Sequence, residues 1–101
     1  MNASLAEQAY QYQRQQFGAA YQAALAHYRK AAAAVQRYER EGLPNARTLQ
    51  AIAGRQLAAG NIQYLEWAVT VHQALTVQND YIEALGNLYS AATRLRYFQL
   101  P

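Results

Sequence analysis

Apolar side chains recur at spacings of three and four residues through most of this chain, which predicts helices almost throughout. Tyr10, Phe17, Ala24, Ala31 and Tyr38 occupy one heptad position; Arg14, Tyr21, Tyr28 and Val35 occupy the other. Together they make the knobs-into-holes seam of a coiled coil, with Arg14 its one exception. The run Ser4-Leu-Ala-Glu7 reads as a capping box that starts this first helix, predicted over about residues 5–40. Glu41-Gly42-Leu43-Pro44 then interrupts the pattern. Gly42 can close a helix, and Pro44 is tolerated at the first position of the next, where its missing N–H costs nothing. A short helix over about residues 44–59 follows. The pattern admits either a kink in one long rod or a true corner at Gly42-Pro44.

The third helix, about residues 62–98, carries two apolar stripes. Ala74, Val77, Tyr81, Ala84, Leu88, Ala91, Leu95 and Phe98 form a continuous heptad line. Val71, Leu75, Ile82, Leu85, Tyr89 and Ala92 form a second, rotated by about 100°. Gln73, Thr76, Asp80, Glu83, Asn87, Ser90 and Arg94 line the remaining face. A helix with a single partner needs one apolar seam, so this one is built to touch neighbours on two sides. Between it and the short helix lies Gly60-Asn61: glycine closes a helix in the left-handed region, and asparagine is a favoured N-cap. A helix stop joined directly to a helix start demands a sharp reversal. The expected fold is all-α: a long antiparallel coiled-coil helical hairpin with a break near Gly42-Pro44 and a tight tip at Gly60-Asn61. A closed three-helix bundle, folding back at Gly42, is the alternative. If the break is only a kink, the stretch from about Leu5 to Tyr21 overhangs and exposes Tyr10, Tyr12, Phe17 and Tyr21, which signals a missing partner.

Composition narrows the chemistry. At 101 residues the chain makes a single domain, with a hydrophobic fraction of 52% and a charged fraction of 15%, a balance that suits closely packed helices rather than disorder. With no cysteine, neither a disulfide framework nor a thiolate metal site is expected. Residues 1–15 hold no basic start and no apolar core, so they do not read as a secretion signal. No apolar run approaches the roughly 20 residues of a membrane helix. His27 and His72 lack companions at helical metal-site spacing, and Met1 is the only methionine, so no metal site is expected. No nucleophile elbow, phosphate loop or paired-carboxylate site is present. The chain reads as a non-enzyme without a cofactor. Arg29, Lys30, Arg37 and Arg40 are interrupted by Glu39 and Glu41, and a net charge of +3 is too modest to suggest nucleic acid as a partner.

Tyr-Glu-x-x-Gly-Leu-Pro-x-Ala (Tyr38 to Ala46), Gly-x-Ile-x-Tyr-Leu-Glu-Trp (Gly60 to Trp67), Gln73-Ala74, Tyr81-Ile-Glu-Ala-Leu85 and Leu95-x-Tyr-Phe98 follow one another in order. In that order and spacing they resemble the C-terminal helical hairpin of TolC-like outer-membrane efflux factors. The resemblance is greatest to those serving heavy-metal RND pumps of the CzcA/CusA class, and covers most of residues 36–98. It implies heavy-metal cation efflux by a homotrimeric channel on the periplasmic side of a Gram-negative outer membrane. The implied partners are the other protomers, a periplasmic adaptor and an inner-membrane RND pump. Membrane contact would be made only by parts absent from this chain, which holds no strand pair for a membrane barrel and so reads as a segment of that architecture.

Carried over residue by residue, the resemblance makes Gly60 the tip glycine, with Asn61, Ile62, Tyr64 and Leu65 as the docking turn. Glu66 stands where such proteins often place an acid facing the narrowing, a candidate gate. Where a second acid follows three residues on, this chain has Val69, so a two-ring acidic gate is not expected. Each position also has a plain structural role: Gly60 and Asn61 as turn chemistry, Glu66 as a helix-start acid favoured by the dipole, Tyr64, Trp67 and Tyr81 as packing. The alternative function is a free-standing helical interaction or scaffold module without transport.

Overall fold

A computed structural model describes residues 2–99, with side chains described for residues 4–98. The chain is an all-α antiparallel hairpin about 85 × 20 × 15 Å in extent. Its elements are α1 (Asn2–Arg37), a π-helical turn (Tyr38–Gly42), α2 (Leu43–Ala58) and α3 (Tyr64–Gln99). Helix α1, the π-turn and α2 form one continuous rod, and α3 returns along it, packing on both α2 and α1. The closed three-helix bundle is thereby excluded.

The interruption that Gly42-Pro44 marks is a change of hydrogen bonding rather than a corner. Pro44 has no N–H to offer the Arg40 carbonyl, and in a straight α-helix its ring would press on that carbonyl. The backbone responds by widening: the Leu43 N–H donates to the Tyr38 carbonyl, five residues back. Gly42 stays in the right-handed helical region at φ −61° and does not close a helix. Its missing side chain serves packing instead, because a Cβ there would lie 3.1 Å from Tyr38 Cδ1 and 3.6 Å from Val77 Cγ1. The π-turn also absorbs one residue. Buried seam positions run Ala24, Ala31, Val35 before it and Ala46, Ala53 after it, whereas an uninterrupted heptad from Ala31 and Tyr38 would put Asn45 in the seam.

At the tip, Gly60 adopts φ +78°, a region costly for any residue with a Cβ. The Asn61 N–H donates to the Gln56 carbonyl (2.9 Å) and the Gly60 N–H to the Leu57 carbonyl (3.1 Å). This paired arrangement, a Schellman motif, satisfies the last carbonyls of α2. Asn61 therefore caps the end of α2 with its backbone, and is not the N-cap of α3. Helix α3 begins at Tyr64, two residues later than the spacing suggests, with the Trp67 N–H bonded to the Gln63 carbonyl at 3.1 Å. At the opposite end, Ser4 lies inside α1, which already runs from Asn2, so the Ser4–Glu7 capping box does not form.

The first α3 stripe is the seam. Ala74, Ala84 and Ala91 are buried against Ala24, Ala31, Val35, Ala46 and Ala53. With methyl groups at nearly every buried position, the two rods approach closely, since helix spacing follows the side chains at the contact. Aromatic pairs brace this alanine zone: Tyr38 against Tyr81 midway, with ring centroids 6.4 Å apart, and Phe98 against Phe17 and Tyr21 at the open end, at 5.3 and 6.1 Å. Past Phe17, residues 4–16 have every side chain exposed and no partner among the described residues. The overhang is thus shorter than expected. Tyr10 and Tyr12 stand free, Phe17 remains largely exposed although it touches Phe98, and Tyr21 is half-buried.

Candidate functional site

Two surfaces carry the candidate residues: the tip and the flanks of α3. At the tip, Gly60 and Asn61 are exposed and Ile62 is half-buried. Tyr64 and Leu65 open α3 with 70% and 72% of their surface exposed. The Tyr64 ring leans on Trp67, with centroids 5.5 Å apart, which stiffens the first turn while leaving Leu65 outward. Val69, also exposed, sits one turn beyond Leu65, so the tip presents an apolar edge rather than a second acid. Glu66 lies in the first turn of α3, where the unpaired N–H groups and the helix dipole favour a carboxylate. It is exposed.

The heptad geometry divides α3 into a filled seam and two unlike flanks. Gln73, Asn87 and Arg94 border shallow grooves between the rods, opposite Asn45, Lys30 and His27. These grooves lie on one side of the hairpin, with those polar groups at their rims and Ala46, Leu49 and Val77 among the walls of the first. Glu66, Asp80 and Glu83 fall on the same side, because steps of seven, fourteen or three residues keep to one helical face. On the opposite side lies the second apolar stripe. Val71, Leu85 and Ala92 are half-buried next to the seam, and Leu25 and Ala32 are half-buried on α1. The aromatic pairs Phe17–Phe98 and Tyr38–Tyr81 set a register that brings Leu25 level with Ala92 and Ala32 level with Leu85. Outside them stand Leu75, Ile82 and Tyr89, exposed by 50%, 64% and 77%. Leu25 and Ala32 extend the apolar surface from this ridge onto α1, and the face runs about 32 Å along α3. No segment of the described chain covers it.

One cross-link was not visible in the sequence. The Tyr81 hydroxyl donates across the two rods, at 3.0 Å, to Oε1 of Glu39, a residue of the π-turn. The hydrogen bond to the carboxylate raises the Tyr81 pKa above its usual value, and desolvation and the carboxylate's charge push the same way. Nothing in the spacing could announce this pair, because it depends on the register of two segments 42 residues apart.

Among the described residues no group of three or more His, Cys, Asp or Glu side chains is placed to hold a metal ion. Likewise, none of the described helices is long and apolar enough to cross a membrane. No protein-family model matches the chain, and comparison with curated proteins and with solved structures returns no match.

Proposed function

We propose that this hairpin is a wall element of a TolC-like efflux duct, contributing to heavy-metal cation export in a tripartite RND system. The observation that carries the reading is the second apolar stripe of α3. One face of α3 is filled by α1 and α2, and a second, with Leu75, Ile82 and Tyr89 exposed, is left uncovered. Monomeric surfaces rarely keep apolar rows of that length, which here only Gln78 interrupts. A wall of parallel and antiparallel rods gives each helix two neighbours, so the stripe meets the next rod while the polar flank faces water. In that arrangement Glu66, Asp80 and Glu83 border the aqueous channel, and the carboxylates of several protomers attract cations. The Schellman turn at Gly60 presents Leu65 and Tyr64 at the end of a stiff rod, suited to docking an adaptor or pump. Ordered motifs from Tyr38 to Phe98 supply the family to which this geometry is referred.

Photo-crosslinking in the native cell tests it. A benzophenone side chain at position 82 is expected to capture another rod of the same channel, and one at position 65 an adaptor or pump subunit. Adducts at position 82 with no adduct at 65, together with unchanged metal tolerance on deletion, support the scaffold module instead. The gate has its own test. In the assembled channel, Glu66→Gln is expected to lower cation preference, and unchanged conductance and selectivity remove Glu66 from that role.

A further inference from the structure

We infer that the projecting start of α1 is a pairing surface for a second copy of this chain, laid antiparallel about a two-fold axis near Tyr10. The seam of α1 does not stop where α3 stops. It continues through Tyr21, Phe17, Arg14, Tyr10 and Glu7 at steps of four and three residues, the spacing that keeps one face in line. Phe98 occupies this face at Phe17 and Tyr21. Beyond that point no described residue covers the face, and Tyr10 is 64% exposed.

The charges on this face select the occupant. Glu7 and Arg14 are the only charged side chains between Ser4 and Gln16, and both lie on the seam. They are one heptad apart, about 10 Å along the axis, too far to neutralise each other. With Ser4 inside the helix, Glu7 is not engaged in a cap either. A parallel copy would set Glu7 against Glu7 and Arg14 against Arg14. An antiparallel copy sets Arg14 beside Glu7 of its partner, and two-fold symmetry repeats the pair, with the two Tyr10 rings between them. Oppositely signed side chains at matching heptad positions of one segment are self-complementary only in this orientation, which is the condition for an isologous contact. The partner's segment then lies in line with α3 beyond the end of that helix, so the dimer is an end-to-end rod.

A contact of about 13 residues per copy is well short of the 20–30 per side of a standard stable interface. The dimer is therefore weak, forming at high micromolar concentration. It uses neither the tip nor the apolar stripe of α3 and stands apart from the duct reading.

The test uses the full chain at low salt, by sedimentation velocity and small-angle scattering. A concentration-dependent dimer about 150 Å long is expected, from two 85 Å rods overlapping by about 20 Å. Arg14→Glu or Glu7→Arg alone is expected to weaken it by roughly tenfold, because each turns two attractive pairs into repulsive ones. Mixing the two single variants, or combining both substitutions in one chain, restores it, and Ile82→Lys leaves it unchanged. All three positions are exposed, and circular dichroism checks that each variant keeps its helicity. A chain that stays monomeric into the millimolar range, a dimer no longer than 85 Å, or single variants that dimerise like the parent overturn the proposal.

Discussion

At Gly60 the fold depends on one residue's freedom at φ +78°, and nothing lies within 4 Å of where its Cβ would stand. Gly60→Ala therefore tests backbone strain without a clash. It is expected to destabilise the hairpin by about 1–2 kcal/mol, the cost of the left-handed region. Gly54, inside α2 and equally uncrowded, is the control: Gly54→Ala is expected to stabilise by about 0.5–1 kcal/mol. Opposite shifts in thermal midpoint confirm the pair, and equal shifts refute the capping role. The residue Gly60 was legible in the sequence because few other residues take that conformation. Asn61 was misread because asparagine suits both an N-cap and a turn, and here it is its backbone N–H that closes α2. At Tyr81 the hydrogen bond to Glu39 links stability to pH. The folded protein holds the phenol proton more tightly than the unfolded chain, so the contribution is complete below the ordinary tyrosine pKa of about 10 and is lost as pH rises through the higher folded value. Accordingly, the difference in melting temperature between the parent and Tyr81→Phe should be constant from pH 7 to 9 and shrink above about pH 10. A difference that persists at high pH disproves the linkage.

Between elements, the informative feature is the slip of one residue at the π-turn. Ala24, Ala31 and Val35 precede it in heptad register, and Ala46 and Ala53 follow one position late. Those two alanines, seven apart and off the line through Asn45, were a signal of an inserted residue that could have been read in advance. The break itself was legible from Gly42 and Pro44; its form was not, because a corner and a bulge use the same residues. Deleting Arg40 together with Pro44→Ala removes both the extra residue and the reason for the wide turn. That variant is expected to keep the alanine seam aligned and to melt within a few degrees of the parent. Deleting Ala33 instead rotates the whole N-terminal part of α1 by about 100° relative to α3. It removes Ala24, Ala31 and the Phe17–Phe98 contact from the seam, and should cost several kcal/mol, since each displaced packing residue contributes of order 1 kcal/mol. Thermal unfolding followed by circular dichroism separates the two, and equal losses would mean that the π-turn does not carry the register.

For the molecule as a whole, the packing that holds the hairpin together and the surface it offers to others lie on different faces of α3. The inward face is mostly alanine, with Ala91 only 2% exposed, so there is little room. Ala91→Leu adds a larger apolar side chain, yet forces the rods apart and should cost about 1–3 kcal/mol. Substitutions on the outward stripe obey the reverse rule. Leu75, Ile82 and Tyr89 rest on solvent for half or more of their surface, so replacing all three with lysine removes little that the isolated hairpin uses. Each such change is expected to shift the stability of the free chain by no more than about 0.5 kcal/mol, while abolishing capture of a neighbouring rod from position 78, at the edge of the same face. Folding and assembly are then separable by mutation: alanine-seam variants lose helix, and stripe variants lose only the neighbour. A triple-lysine chain that unfolds would mean that the stripe is part of the hairpin's own core, and the wall reading would lose the observation on which it stands.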